Sequence, residues 1–328
     1  MYNFCTLFDS NYLTRGLAMY NSLKLHCNNF HLYIFAFDEK AYSILNNLAL
    51  EKVTVISLKD FESEDLLAVK PSRSIAEYCW TCTSSTIKYV LDNYKAENCT
   101  YIDADLFFYS SPKPLFDEMG DKSVLITEHR YSKSNNRLEK AGKYCVQFIT
   151  FKNNEEGLKV LNWWRNACIE WCFDRYEDGK FGDQKYLDDW TSRFKGVHEL
   201  VNLGGGVAPW NVEQYKFFEK KDLRLFLKTK QDLRTFEVVF YHFHYVRFYK
   251  NNLVDFGWFK IPKSISKIIY FDYVKELDNS LKQIKTIDSD FKESLRPFSL
   301  MESKGLKNKL KVLIKLVTRY NLYAHVSN

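Results

Sequence analysis

The sequence predicts an α/β fold: a mixed sheet flanked by helices, followed by a C-terminal helical extension. Two observations predict it. Between residues 3 and 58, three apolar runs of strand length alternate with two segments whose apolar residues recur at helical spacing. Strands joined in this way by crossover helices form a parallel sheet. Beyond residue 243 the strand-like runs stop, and the chain turns helical and increasingly basic.

The elements follow in order. Residues 3–8 are an apolar run suited to a buried strand. Leu13, Leu17, Met19 or Tyr20, and Leu23 keep helical spacing through 12–27. Residues 31–37 form a second strand, which Asp38 stops; 41–50 read as a helix and 53–58 as a third strand. Residues 59–78 are polar and irregular, and 83–94 are helical. An apolar strand over 99–109 is interrupted by two carboxylates. Strands at 124–127 and 144–151 precede a helix at 157–173, rich in Trp and Cys, and 181–190 starts another helix. Gly204-Gly205-Gly206, leading into Val207-Ala208-Pro209-Trp210-Asn211, is either a tight turn or backbone passing close to a ligand. Residues 236–243 make the last strand. With 6 prolines and 12 glycines, no linker marks a boundary. The division expected is 1–250 for the main domain and 251–328 for the extension.

Composition narrows the classes. The 328 residues are 46% hydrophobic and 27% charged, ordinary values for a globular chain of one large domain or two small ones. Aromatics reach 17%; most fill the core, and some can stack on the C–H faces of a sugar. No run of 18 apolar residues reads as a membrane span. Met1 to Phe8 lacks a basic start and meets Asp9 too soon for a signal peptide, so a cytoplasmic protein is expected. Eight cysteines in such a compartment do not make a disulfide framework. Cys79-x-x-Cys82 has zinc-site spacing. Its partner pair, Cys168 and Cys172, lies one turn apart on an aromatic helix, where buried free thiols are ordinary.

Asp103 and Asp105 carry the sharpest chemistry. Residues i and i+2 of a strand share a side, and two carboxylates facing one way repel unless a cation lies between them. Hard divalent ions such as Mn²⁺ or Mg²⁺ take oxygen ligands and can bridge a substrate diphosphate. Tyr101-Ile102-Asp103-Ala104-Asp105-Leu106, near residue 100 after three strand–helix units, resembles the D-x-D segment of GT-A nucleotide-sugar glycosyltransferases. The likeness is greatest to family 8, the glycogenin and bacterial lipooligosaccharide galactosyltransferase group. Ser111-Pro112-Lys113-Pro114-Leu115-Phe116 resembles the continuation of that motif, and Tyr144-Cys145-Val146-Gln147-Phe148 stands where the family has an Asn-x-Gly strand.

The resemblance implies a Rossmann-like GT-A catalytic domain over 1–250 and a set of site residues. It implies Mn²⁺ (or Mg²⁺) on Asp103 and Asp105, with Ala104 between them, and a late histidine as third ligand. That is His242, or alternatively His244, in Tyr241-His242-Phe243-His244-Tyr245. Thr6, Phe8, Asp9 and Tyr12, in a segment continuing to Gly16, would surround the uridine and ribose of a UDP-sugar. Asp183 and Gln184, in Phe181-Gly182-Asp183-Gln184, would reach the donor sugar, Asp183 accepting from a hydroxyl and Gln184 near the β-face of the anomeric carbon. Arg73, with Arg247 or Lys250, would meet the diphosphate.

The function implied is transfer of a hexose or related sugar to a hydroxyl of a glycan or lipid-linked oligosaccharide, with retained configuration, in surface polysaccharide (lipopolysaccharide or capsule) synthesis. An inverting enzyme would need a carboxylate base, for which Glu128 and Asp183 are candidates. A sugar nucleotidyltransferase would open with a glycine-rich phosphate loop, which Phe8-Asp9-Ser10-Asn11-Tyr12 lacks. A non-catalytic, membrane-associated glycan-binding module would not depend on Asp103 and Asp105.

From residue 303 on there is no acid, and Lys304, Lys307, Lys309, Lys311, Lys315 and Arg319 equal the whole net charge of +6. Leu306, Leu310, Leu313, Val317 and Tyr320 recur at spacings of three and four. Such a cationic amphipathic helix suits the surface of an anionic membrane, so 303–328 are expected to hold the protein peripherally on its inner face. The neutral body offers no extended basic face for nucleic acid.

Overall fold

A computed structural model describes residues 1–295 and 305–325. The central sheet is built from β1 (Tyr2–Phe8), β2 (Phe30–Ala36), β3 (Val53–Ser57), β4 (Asn98–Ile102), β6 (Val124–Glu128), β7 (Tyr144–Lys152) and β8 (Val197–Glu199), with β5 (Leu106–Phe108) set apart from it. Its order is β3-β2-β1-β4-β7-β6-β8. The first four strands run parallel, and β7 is antiparallel to both β4 and β6.

Helices cover both faces, so the strands are apolar on both sides. Period two divides β1: Cys5 and Leu7 enter one core, Phe4 and Phe8 the other. The second core is closed by α1 (Leu13–His26) and α2 (Glu39–Leu48), the first by α5 (Ile75–Asn93) and α7 (Glu155–Glu170). Gly16 of α1 is required there, because a Cβ would lie 2.4 Å from the Phe8 ring.

Four sequence expectations are corrected. Residues 59–78 hold two short helices, α3 (Leu58–Phe61) and α4 (Glu64–Val69), and α5 starts at Ile75 rather than 83. Ser74 and Glu77 form a reciprocal capping box that starts α5. The 99–109 run is two strands: β4 stops at Ile102, and the Leu106 N–H bonds back to the Asp103 carbonyl at 3.2 Å, closing a turn. Residues 181–190 are turns and one 3₁₀ step, because Gly182 takes φ +52°. The helix that starts there is the four-residue α8 (Trp190–Arg193), which comes after α6 (Lys113–Met119) and α7 in chain order.

Residues 236–243 are not the last strand. A three-stranded meander, β9 (Tyr215–Lys221), β10 (Arg224–Thr229) and β11 (Thr235–Glu237), leads into β12 (Phe240–His242), which pairs with β5. Beyond it β13 (Arg247–Tyr249), β14 (Leu253–Asp255) and β15 (Leu322–Ala324) form an antiparallel sheet with members on both sides of residue 250. Lys263–Ile265 (α9) passes through a π-turn into α10 (Phe271–Lys285), which packs on α1. A last helix, α11 (Leu306–Thr318), precedes β15.

The basic tail is not a free appendage. Lys315 turns inward, 3% exposed, to pair with Asp255, which is 1% exposed. Its ammonium also donates to the carbonyls of Gly257 (2.8 Å) and Tyr320 (3.2 Å), and lies 4.5 Å from the Trp258 ring. One of the six cations expected to face a membrane is therefore spent on the fold. Ser303, Lys304 and residues 326–328 lie outside the described residues, as does the Lys307 side chain. No helix among the described residues is long and apolar enough to cross a membrane.

Removing one partner of a buried ion pair leaves an uncompensated charge and typically costs about 3–5 kcal/mol. Lys315→Met is expected to lose that much in urea unfolding, and Lys315→Met with Asp255→Asn to recover part of it. A loss below about 1 kcal/mol for the single variant would show that the pair does not anchor the tail.

Candidate active site

The parallel strands end at a cavity of about 790 Å³. Ligands of open α/β sheets bind beyond the carboxyl ends of the strands. Leu7, Phe8 and Asp9 line the cavity where β1 ends, and Tyr101, Asp103, Ala104 and Asp105 where β4 ends.

The acidic turn is held from two sides. The Asp103 N–H donates to the Gln147 carbonyl of β7 at 3.1 Å, and the Asp105 carbonyl accepts from the Phe243 N–H at 2.9 Å. The register that pairs His242 with Leu106 then sets the His242 ring against the turn. Its Nε2 lies 3.1 Å from Asp105 Oδ1 and 3.8 Å from Asp103 Oδ2. One ligand atom from each of Asp103, Asp105 and His242 falls within 4.8 Å of the others, the one such group among the described residues. Cys79, Cys82, Cys168 and Cys172 are free thiols and form no such group.

Burial and mutual charge set the protonation states. Burial pushes the Asp103 carboxyl up, His242 pulls it back and Asp105 pushes it again, leaving it at about 6. Burial also pushes Asp105 up, but the charge and hydrogen bond of His242 outweigh it and hold it below its usual range. Burial would lower His242; Asp105 overcomes that and holds it well above its ordinary value. A partly buried pair of carboxylates thus rests on one imidazolium, and oxygen ligands with an imidazole suit a hard divalent cation such as Mn²⁺. The residues fit such an ion, which would replace the ring proton as the counter-charge.

His244 also lines the cavity but lies outside the three-residue group. Burial and the charge of His242 lower it to about 4. Asp183, 6% exposed, and Gln184 line the same cavity. Burial first, and Asp103 second, raise the Asp183 carboxyl to about 7. The backbone of Asp183 is fixed by the Trp164 indole N–H at 2.9 Å, and the Gln184 amide donates to the Ala141 carbonyl at 3.1 Å.

Phe8, Asp9 and Tyr12 line the cavity; Thr6, fully buried within β1, does not. Asp9 caps the turn after β1 by accepting from the Asn11 N–H at 3.0 Å. Arg73 is also absent from the lining. Its guanidinium stacks 3.9 Å over the Phe173 ring and donates to the Ile169 carbonyl at 3.1 Å. Arg247 stacks 3.8 Å over the Tyr245 ring, and neither it, Lys250 nor Glu128 lines the cavity.

The glycine cluster packs rather than binds. A Cβ on Gly204 would lie 2.1 Å from the Glu237 carbonyl, and no glycine of the three lines the cavity. Trp210, six residues beyond Gly204, does line it. Buried Asn211 holds this loop by donating to the carbonyls of His129 and Gly206, and the Trp210 indole donates to the His129 carbonyl at 2.9 Å. His129, Tyr131 and Phe259 complete an aromatic wall, with Tyr131 stacked on His129 at 4.6 Å. Trp80 and Thr83 of α5 were also missed. The one local signal was the capping box that starts α5 before them; the wall residues carried none, because they come from loops far apart in sequence.

No protein-family model matches the chain. Among curated proteins it is 30% identical over 302 residues to the uncharacterized protein YfnD of Bacillus subtilis (strain 168), covering 90% of this chain and 95% of that one. The chain belongs to the YfnD family. YfnF of the same organism is 30% identical over 296 residues, with 88% and 95% covered. Among solved structures, the bifunctional glycosyltransferase WbbM is similar at a TM-score of 0.51 and 12% identity, over 87% of this chain and 51% of that one. At that identity the likeness shows the fold, and this YfnD-family chain has the GT-A architecture, spanning about half of the WbbM chain.

One expected outcome follows from His129. Burial lowers its imidazole to about 3, whereas an unfolded histidine takes up its proton near 6.5. The unfolded chain binds more protons between those values, so the contribution is full above about 6.5 and is lost as pH falls toward 3. His129→Gln is expected to flatten the decline in melting temperature between pH 7 and pH 5. Equal declines in variant and wild type would assign the effect elsewhere.

Proposed function

We propose that this protein is a metal-dependent glycosyltransferase that moves a hexose or related sugar from a UDP-sugar to a hydroxyl of a glycan or lipid-linked oligosaccharide. The observation that carries this is the convergence of Asp103, Asp105 and His242 at the strand ends of a GT-A sheet, beside the cavity that Asp9 and Tyr12 line. Phe8, Asp9 and Tyr12 hold the nucleoside, and Asp103, Asp105 and His242 hold Mn²⁺ or Mg²⁺. The bound ion would neutralise charge on the departing diphosphate. Asp183 accepts from a donor-sugar hydroxyl, and Gln184 lies at the β-face of its anomeric carbon. The aromatic wall of Tyr131, Trp210 and Phe259 stacks on the acceptor.

Retention of configuration, by front-face attack of the acceptor hydroxyl, is supported by the resemblance of the sequence to family 8. One observation favours inversion instead: a carboxyl near pH 7, such as Asp183, is matched to general-base work. The anomeric proton of the product, read by NMR, separates the two.

The first test is a thermal-shift panel of UDP-, GDP-, CMP- and dTDP-sugars with and without Mn²⁺. A ligand at about 100 times its Kd adds roughly 2.7 kcal/mol to stability. A Mn²⁺-dependent shift with one UDP-sugar is expected. Asp103→Asn and Asp105→Asn are expected to lose that shift. Without metal, Asp103→Asn is expected to melt no lower than wild type, since it removes one of two repelling carboxylates, whereas Asp105→Asn gives up the pairing with His242 and is expected to melt lower. Shifts that survive both substitutions would refute the metal site.

A place on an anionic membrane, in the synthesis of a surface polysaccharide, is proposed from α11. Leu306 is 85% and Val317 75% exposed, and Leu310, Leu313 and Ile314 are also exposed, beside Lys309 and Lys311 and with no acid from residue 305 to 325. Exposed apolar side chains flanked by lysines match an interface of acyl chains and anionic headgroups. Deleting the tail would also remove β15 and orphan Asp255, so point changes are the cleaner test. Leu310→Glu with Val317→Glu is expected to abolish sedimentation with phosphatidylserine vesicles and leave the nucleotide-sugar shift intact. Unchanged sedimentation would refute the membrane role.

A further inference from the structure

We propose that Gln147 is a positioning residue for the metal cluster, orienting two of its three ligands. The proposal rests on the metal reading above. Gln147 is fully buried in β7. Its backbone carbonyl accepts from the Asp103 N–H at 3.1 Å, which fixes where the acidic turn leaves the sheet. Its side-chain Oε1 lies 2.8 Å from His242 Nδ1. The opposite nitrogen of that ring, Nε2, faces Asp105 and Asp103.

The chemistry of the ring makes this contact decisive. A cation among the two carboxylates needs the lone pair of Nε2, so the ring must keep its proton on Nδ1. An oxygen against Nδ1 accepts that proton and selects the required tautomer. The amide turned the other way would donate to Nδ1 and drive the ring proton onto Nε2, between the imidazole and the carboxylates.

Two further observations point to a role beyond packing. Gln147 Nε2 is buried with no hydrogen-bond partner among the described residues. An unsatisfied buried donor is costly, and an apolar side chain would avoid it. The space for the amide is also guarded. Gly206 holds φ +105°, and a Cβ there would lie 3.1 Å from Gln147 Nε2 and 2.8 Å from the Thr127 methyl.

The experiment titrates Mn²⁺ alone into the whole protein and follows the free ion by electron paramagnetic resonance. Gln147→Met, of similar length without an acceptor, is expected to weaken Mn²⁺ binding about 10- to 100-fold. Gln147→Glu, whose carboxylate accepts from Nδ1, is expected to bind Mn²⁺ at least as tightly as wild type. With Cd²⁺ as a diamagnetic substitute, ring ¹⁵N spectra are expected to show the His242 proton on Nδ1 in wild type and Gln147→Glu. Wild-type affinity in Gln147→Met, or equal weakening in Gln147→Glu and Gln147→Met, would overturn the proposal while leaving the metal site in place. Absence of Mn²⁺ binding by the wild-type protein would remove the metal reading and this proposal together.

Discussion

Two carboxylates that repel each other sit against one imidazole, and much of the architecture serves to hold them there. Asp103 and Asp105 cannot relax apart, because β7 fixes one end of their turn and β12 the other. His242 supplies the compensating charge, 3.1 Å from Asp105. Held this way, the cluster has a high appetite for positive charge, which a proton or a divalent cation can satisfy. The Gln147 amide nitrogen, without a hydrogen-bond partner among the described residues, and Gly206, at a positive φ that glycine alone adopts freely, lie next to the same cluster. The local rule that buried polar groups are satisfied is broken where the chemistry is concentrated.

The rest of the cavity is tuned in the opposite sense. His129 and His244 are kept neutral by burial, so His242 is the imidazole that carries charge beside the carboxylates at neutral pH. Asp183 is held near neutrality by burial and by Asp103. The cavity therefore pairs one strongly charged corner with an uncharged aromatic wall. With a divalent cation bound between the carboxylates, that division would suit a ligand that is anionic at one end and apolar-faced at the other, such as the donor and acceptor proposed above.

The C-terminal segment joins this body through charge as well as packing. The Lys315–Asp255 pair and strand β15 tie the tail to the β13–β14 hairpin, while one face of α11 is left bare. Composition alone treated all six tail cations alike. The fold takes one of them as an anchor and leaves others at the surface.

By itself the sequence determined the alternation of strands and helices through residue 58 and the D-x-D segment, because period-two and helical patterns and a local motif are written in consecutive residues. The α/β class was also legible, and resemblance to a family put His242, Asp183 and Gln184 among the candidates, all of which line the cavity. It did not determine that Asp103 and Asp105 occupy a turn, since an apolar run of eleven residues reads as one strand until a backbone hydrogen bond closes it. Nor did it reveal Gln147, Trp210 or Tyr131, or the burial of Lys315. Those roles depend on which distant loop, strand or carboxylate packs beside each residue. Only the tertiary structure decided them, because a hydrogen bond from β7 to β12 or an aromatic wall drawn from separate loops has no periodicity along the chain.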